Sequence, residues 1–218
     1  MQLHLQGRVS RAGFTLIEMI LTATLLVVVA GSLATVCLRG DQACSETSLQ
    51  VAVDTKARRA LDRIVAELTC AGAGMLVPNP TSQFGTDTLR FQTPANFVGG
   101  AVVWGTQSRI GFEYKTGEAN DGVDNNHNGL IDEGRVVLTR NVGAANEQRV
   151  IVCENVREYL QGESSNNVDD NGNAVIDEHG FSIQRVGNVM NIRLSLEGTS
   201  PGQSVYVRTL ETSISLRN

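Results

Sequence analysis

The distribution of apolar residues divides the chain into two regions. From Phe14 to Leu38 the chain runs for 25 residues in which Glu18 is the only charged side chain. As a helix rising about 1.5 Å per residue, this segment is long enough to cross a bilayer core of roughly 30 Å. Beyond it, apolar residues recur every three or four positions from Val53 to Leu68, with charged residues between them. The pattern predicts one helix of roughly fifty residues whose second half is amphipathic.

The rest of the chain shows the two-residue alternation of β-strands. Glycines and prolines between residues 72 and 80 end the helix, and alternation is clearest from Met190 to Leu196. No second long helix is available for parallel crossovers, so we expect antiparallel pairing and an α+β fold. The predicted strands are 86–92, 100–104, 108–115, 135–140, 149–153, 181–186, 188–196 and 204–216.

A short polar segment, residues 1–13, precedes the apolar run and carries Arg8 and Arg11, which fit a cytoplasmic start. An ordinary secretory signal has an apolar run of only about 7–15 residues. A lipoprotein signal needs a small residue directly before a cysteine, but Val36 precedes Cys37. Neither alternative explains Glu18, whose charge costs on the order of 2.5–3.5 kcal/mol inside an apolar span.

The run Gly13-Phe14-Thr15-Leu16-Ile17-Glu18 resembles the prepilin peptidase recognition site of type IV pilins and type II secretion pseudopilins. The resemblance implies a leader, residues 1–13, that is cleaved between Gly13 and Phe14, followed by N-methylation of the Phe14 amine. It also implies that Glu18 pairs with the terminal amine of a neighbouring subunit during assembly. The physics agrees, because a buried charge is tolerable chiefly when it is paired.

The same resemblance implies the pilin fold: a long N-terminal helix packed on a C-terminal antiparallel β-sheet domain. Its expected parts are a transmembrane and filament-core helix (14–38), an amphipathic continuation (39–72) and a β-rich domain (73–218). The implied partners are the prepilin peptidase, the inner membrane before assembly, and other pilin subunits, which bind through the helix. The implied location is the bacterial inner membrane, with the domain in the periplasm, and then an extracellular pilus or a periplasmic pseudopilus.

Two further segments narrow the resemblance. The helix end LDRIVAELTCAGAGM and the final strand VRTLETSISLRN are similar to those of minor pilins of the PilW kind. Thr35 stands where many major pilins have proline, which also favours a minor subunit. We therefore expect a minor pilin that initiates or caps a type IV pilus. A J-type minor pseudopilin of type II secretion and a tip-displayed adhesin are the alternatives.

Two segments of the β-rich region are strongly acidic. Of the 23 Asp and Glu residues, eight lie in 121–133 and 169–178. Residues 123–133 read VDNNHNGLIDE and residues 168–178 read VDDNGNAVIDE, a match at seven of eleven positions with an offset of 45. Oxygen-bearing side chains stand at alternate positions, as in an EF-hand-type loop, so the spacing predicts one or two Ca²⁺ ions.

The expected ligands follow from that spacing. In the first segment they are Asp124, Asn126, Asn128, Asp132, Glu133 and the Leu130 carbonyl; in the second they are Asp169, Asn171, Asn173, Asp177, Glu178 and the Val175 carbonyl. Ile131 and Ile176 are expected to anchor the two loops in the core.

Two departures from the EF-hand pattern affect these predictions. Gly129 occupies the sharp turn of the first loop, whereas the second has Ala174, so we expect a weaker second site. Arg135 and Gly180 stand where the twelfth-position glutamate belongs, which predicts an affinity of around 10⁻⁴–10⁻³ M. The alternative is a pair of ordinary Asn- and Asp-rich turns.

The remaining chemistry is limited. The net charge is −5 and the sequence has no basic patch, so no nucleic-acid partner is expected. No GxSxG or P-loop pattern is present, and we expect a protein that is not an enzyme. Of the four cysteines, Cys70 at the helix end and Cys153 in a predicted strand are the favoured disulfide pair. Cys44 and Cys70 share one helix and cannot pair, and the sequence leaves the full connectivity open.

Overall fold

The structure, a computed structural model, describes residues 13–200 and 202–216. It comprises two compact units, one ending at Cys44 and one beginning at Ser45. A single helix, α1, spans Leu16–Leu68 and contributes to both units. The predicted leader lies outside the described residues, apart from Gly13.

In the first unit, every described residue from Gly13 to Cys44 is exposed. The exposed side chains include large apolar ones on all faces of the helix, such as Phe14 at 84% and Leu26 at 70%. An 18-residue window of α1 has a mean hydropathy of 2.3. This helix is therefore long and apolar enough to span a membrane, and an apolar surface all round is typical of such spans.

In the second unit, α1 buries a single stripe of side chains. The buried positions are three or four residues apart, as the sequence pattern predicts: Val53, Ala57, Ala60, Leu61, Ile64 and Leu68. These side chains belong to one core cluster together with residues of the β-sheet. The amphipathic half of the helix is thus stabilised by burial against the sheet.

The described residues form nine strands: β1 (Thr88–Phe91), β2 (Pro94–Val98), β3 (Ala101–Trp104), β4 (Ser108–Tyr114), β5 (Gly134–Arg140), β6 (Gln148–Val156), β7 (Phe181–Val186), β8 (Val189–Thr199) and β9 (Val205–Ser215). Eight of them correspond to predicted strands. Strand β2 was not predicted, because Pro94 and Asn96 are residues that strands disfavour. It forms a separate two-stranded sheet with β3.

The other seven strands form one antiparallel sheet in the order β1-β4-β5-β6-β8-β7, with β9 also paired to β8. Strand β8 pairs with β9 along its whole length, from Val189 to Thr199. On the opposite edge of β8, β7 pairs with residues up to Leu194, and β6 contacts it through Val156 and Leu196. The long strand β8 therefore holds the two parts of the sheet together.

The core lies between the helix stripe and one face of this sheet. Its largest fully buried side chains come from both layers: Phe91, Phe181, Ile64, Leu68, Leu89, Ile110, Leu138, Ile183, Met190, Ile192, Leu194 and Leu196. Ion pairs add to this packing at its margin. Arg208 on β9 lies 3.1 Å from Asp54, and Arg140 on β5 pairs with Glu67. These contacts fix the sheet against the second half of α1.

The expected disulfide between Cys70 and Cys153 does not form, and all four cysteines are free. Cys153 shares the wall of a cavity with Lys56 and Arg59 of the helix. Cys70 follows these residues by eleven or more positions, which is roughly 16 Å or more along a helix axis. A disulfide requires Cα atoms within about 7 Å. Burial raises the pKa of the Cys153 thiol to about 12, so this cysteine is unreactive.

Candidate functional site

The first candidate site is the start of α1. The backbone N–H of Thr15 donates to Glu18 Oε2 at 2.8 Å, and Thr15 Oγ1 donates to the same oxygen at 2.9 Å. In return, Thr15 Oγ1 accepts the N–H of Glu18 at 3.3 Å. This arrangement is a capping box, which satisfies N–H groups that have no partner within the helix. The Glu18 carboxylate therefore lies over the first turn and contacts Thr15, the residue that directly follows Phe14.

The second candidate site consists of two loops at one end of the sheet. The first acidic loop, residues 115–133, joins β4 to β5, and the second acidic loop, residues 157–180, joins β6 to β7. Gly134 pairs with Val156, and Val156 pairs with Leu196 of β8. The strand ends that carry the two loops are therefore close neighbours in the sheet.

The aspartates of the first acidic loop accept backbone N–H groups. Asp124 accepts those of Asn128 at 3.1 Å and Gly129 at 2.8 Å. Asp132 accepts those of Asp121 at 3.2 Å and Gly122 at 2.8 Å. These bonds close two turns, and they fold the loop back on itself.

The second acidic loop repeats this pattern 45 residues later. Asp169 accepts the N–H groups of Asn173 at 3.1 Å and Ala174 at 2.8 Å. Asp177 accepts those of Asn166 at 3.0 Å and Asn167 at 2.9 Å. The sequence repeat is therefore also a repeat of structure.

Both loops have strained backbone conformations at equivalent positions. The fourth and sixth positions of the EF-type pattern, counted from Asp124 and from Asp169, have positive φ in both loops. In the first loop these are His127 at 60° and Gly129 at 84°, and in the second they are Gly172 at 76° and Ala174 at 66°. At these two positions, each loop thus has one glycine and one non-glycine residue in the left-handed region, where a side chain costs about 1–2 kcal/mol. The expected disadvantage of Ala174 is matched by the same disadvantage at His127.

The residues that anchor the loops are one position earlier than the sequence indicates. Leu130 is 3% exposed and Val175 is fully buried, whereas Ile131 is 56% exposed. The Asn128 side chain accepts the N–H of Leu130 at 2.8 Å, and Asn173 accepts that of Val175 at 2.8 Å. These turns direct the chain into the core at Leu130 and Val175.

Two glutamates were absent from the predicted ligand set. Glu118 lies in the first acidic loop and Glu163 in the second, and each is only 8% exposed. Glu118 Oε1 accepts the N–H of Asn126 at 2.8 Å, and Glu163 Oε1 accepts that of Asn171 at 3.0 Å. The sequence carries a signal for them, because Gly117-Glu118 and Gly162-Glu163 extend the repeat upstream at the same offset of 45.

Glu133 lies at the centre of the first acidic loop and is fully buried. Its Oε1 accepts hydrogen bonds from the amides of Asn126 at 2.9 Å and Asn128 at 2.5 Å, and from Lys115 Nζ at 3.3 Å. Burial alone would raise the pKa of Glu133, but the hydrogen bonds from the two amides and from Lys115 outweigh it and lower the pKa. The carboxylate is therefore charged at neutral pH.

Glu178 holds the equivalent place in the second acidic loop and is 1% exposed. Asn173 donates to its Oε2 at 2.5 Å, and Arg193 Nη1 donates to its Oε1 at 3.1 Å. Burial raises the pKa of Glu178, although the bonds from Asn173 and the charge of Arg193 oppose the shift. Two buried glutamates thus lie in each loop.

The EF-hand's twelfth ligand has no equivalent. Arg135 lies in β5, with its guanidinium 3.9 Å from Glu113. A Cβ atom at Gly180 would lie 2.0 Å from the carbonyl oxygen of Arg157, so the backbone allows no side chain there. In the part of the chain that the structure describes, no three His, Cys, Asp or Glu side chains are grouped as a metal site. Each loop instead combines two glutamates with asparagine amides.

Comparison with known proteins gives no match. No protein-family model, curated protein or solved structure matches this chain.

Glycine substitution measures the backbone strain at Ala174 and His127. Replacing Ala174 or His127 by glycine should raise the free energy of unfolding by roughly 0.5–1 kcal/mol, because relief of strain exceeds the entropy that glycine adds to the unfolded chain. Urea unfolding of the protein in detergent with a chelator measures the difference. Ala145→Gly is the control, since Ala145 is an exposed loop alanine without positive φ. It should lower stability, and equal effects of all three substitutions would contradict the argument.

Proposed function

We propose that this chain is a minor type IV pilin-like subunit that helps to initiate or cap a pilus. The observation that carries the proposal is the division of α1. One half is exposed and apolar on all sides and begins at the GFTLIE run, whereas the other half buries a stripe under an antiparallel sheet. A helix that is apolar on all sides needs lipid or other helices around it. Once the subunit has left the membrane, a filament core of packed helices would supply that environment.

Glu18 supports an assembly role. Its carboxylate lies at the first turn of α1, within hydrogen-bonding distance of Thr15. If the chain is cleaved before Phe14, a charged amine forms one residue from Thr15. The carboxylate can then be paired with an amine of a neighbouring subunit, which lowers the cost of a charge in an apolar environment.

Calcium bound in the acidic loops belongs to the same proposal. The loops supply carboxylate and amide oxygens, which are the ligands that Ca²⁺ prefers. Oε2 of both Glu118 and Glu133 is buried and has no hydrogen-bond partner among the described residues. A cation there would neutralise carboxylates whose burial is otherwise unfavourable. It would therefore stabilise the β-rich domain.

Substitution of Glu18 tests the assembly role. Glu18→Val should leave membrane insertion intact, because it removes a costly charge, and should sharply reduce incorporation into filaments. Immunoblots of membrane and sheared-filament fractions measure both quantities. Thr22→Val, one turn further along the same exposed helix face, is the control and should be incorporated normally. Normal incorporation of Glu18→Val would remove the assembly role.

Deletion of the gene distinguishes the classes of function. A minor pilin predicts loss of surface pili with intact protein secretion, and a type II minor pseudopilin predicts the reverse. Loss of cell adhesion with normal piliation would identify a tip adhesin. Normal piliation, secretion and adhesion together would contradict all three assignments.

Calcium should raise the thermal stability of the domain. A ligand that binds only the folded state contributes roughly 2.7 kcal/mol per site at 100 times its Kd. Asp124→Ala should remove most of the contribution of the first loop, because it opens the turn that Asp124 closes. Thermal unfolding followed by circular dichroism, with calcium, magnesium or chelator, measures this. Magnesium should substitute poorly, and a melting temperature indifferent to calcium and chelator would refute calcium binding.

A further inference from the structure

In each acidic loop, asparagines donate hydrogen bonds to two buried glutamates. Asn126 donates its backbone N–H to Glu118 Oε1 at 2.8 Å and its side-chain amide to Glu133 Oε1 at 2.9 Å. In the second loop, Asn171 donates its backbone N–H to Glu163 Oε1 at 3.0 Å, and Asn173 donates its side-chain amide to Glu178 Oε2 at 2.5 Å. The two carboxylates of a pair therefore contact one asparagine in the first loop and two asparagines, two positions apart, in the second.

The upstream glutamate of each pair has an unsatisfied oxygen. Glu118 and Glu163 are more than nine-tenths buried, and within the described chain Oε2 of each accepts no hydrogen bond. Glu133 Oε2 is also buried without a partner in the described residues. A buried carboxylate oxygen in this state is strongly unfavourable unless a cation meets it. The same orphaned oxygen occurs at two positions 45 residues apart, which points to a common ligand.

We propose that each acidic loop binds one Ca²⁺ ion between its two buried glutamates, Glu118 with Glu133 in the first loop and Glu163 with Glu178 in the second. This proposal rests on the calcium binding proposed above and changes its ligand set. One of the two carboxylates that balance each ion, Glu118 or Glu163, precedes the segment that matches the EF-type spacing. Asp124, Asp132 and their equivalents shape the loops by accepting backbone N–H groups.

The chemistry of the donor set suits calcium. Two carboxylates balance the charge of one divalent ion, and each can bind through both oxygens. Rotation of the Asn126 amide by 180° exchanges its N–H₂ group for an additional oxygen. Ca²⁺ accepts six to eight oxygens in flexible geometry, whereas Zn²⁺ favours nitrogen and sulfur ligands. An all-oxygen set of glutamates and amides therefore selects a hard cation.

The two sites differ in the cations that already contact them. Arg193 lies 3.1 Å from Glu178, and its side chain is only 8% exposed. Arg193 also contacts Glu211 at 3.4 Å, so its charge is held in place. Lys115 lies 3.3 Å from Glu133 and donates to Asn155 Oδ1 at 2.9 Å. Its side chain is 23% exposed, however, and its long stem allows it to turn toward solvent. The second loop therefore binds calcium more weakly than the first.

Calcium titration of glutamine variants tests the ligand set. Isothermal titration calorimetry is performed on the full chain in detergent micelles with calcium chloride. Wild-type protein should bind two ions with unequal affinity. Glu118→Gln should weaken the tighter site, and Glu163→Gln the weaker site, each by at least about tenfold. Glu154→Gln, at an exposed position of β6, is the matched control and should bind as wild type does.

A second measurement separates a ligand from a structural residue. Glutamine keeps an oxygen that can accept the N–H of Asn126 or Asn171, so the loops retain their hydrogen bonds. In chelator, Glu118→Gln and Glu163→Gln should therefore melt at or above the wild-type temperature, because a buried unpaired charge has been removed. Melting below wild type in chelator, with the calcium response intact, would assign a structural role and overturn the proposal.

The outcomes also distinguish this proposal from calcium binding itself. If wild-type protein binds calcium and both glutamine variants bind it as Glu154→Gln does, the glutamate ligand set is overturned and calcium binding stands. If wild-type protein produces no binding heat and no calcium-dependent shift in melting temperature, both proposals are overturned.

Discussion

The apolar side chains of helix α1 have to be removed from water over nearly the whole helix, and the chain meets this requirement in two ways. From Val53 to Leu68 the protein itself covers one stripe of the helix with a sheet. Full burial of a large aliphatic side chain contributes about 1.5–3 kcal/mol, so this stripe is a main source of stability for the domain. Between Phe14 and Leu38 no described residue buries the helix. We propose that lipid or other subunits cover that half, as in a membrane-anchored filament subunit.

The sheet that covers the helix also positions the acidic loops. The end of β4, the start of β5 and the end of β6 are neighbours in the sheet, and β8 pairs with both the end of β6 and the start of β7. Residues of β8 contact both loops. Thr199, at the end of β8, donates to the carbonyl of Asn128 at 3.0 Å, and Arg193 within β8 contacts Glu178. Changes at the loops are therefore coupled to the strand that joins the two parts of the sheet. Cation binding would stabilise the domain at the place where its two halves meet.

The sequence predicted features that depend on local periodicity and failed for those that depend on tertiary register. The helix stripe and eight strands follow from spacings of three to four and two residues, whereas β2 carries Pro94 and was missed. The prediction of a disulfide between Cys70 and Cys153 was wrong, because packing sets the position of β6 along the helix. Glu118 and Glu163 lay outside the EF-type window, although the repeat extends to them. Only the structure shows that both are buried and that one carboxylate oxygen of each has no hydrogen-bond partner among the described residues.

We propose that the apolar half of α1 begins a mature subunit at Phe14. Intact-mass spectrometry of the protein, extracted from membranes of its native host, tests this start site. We expect a chain that starts at Phe14 and carries one additional methyl group on its amine. A chain that starts at Met1, or a lipid-modified chain that starts at Cys37, would contradict the assignment to the pilin-like proteins.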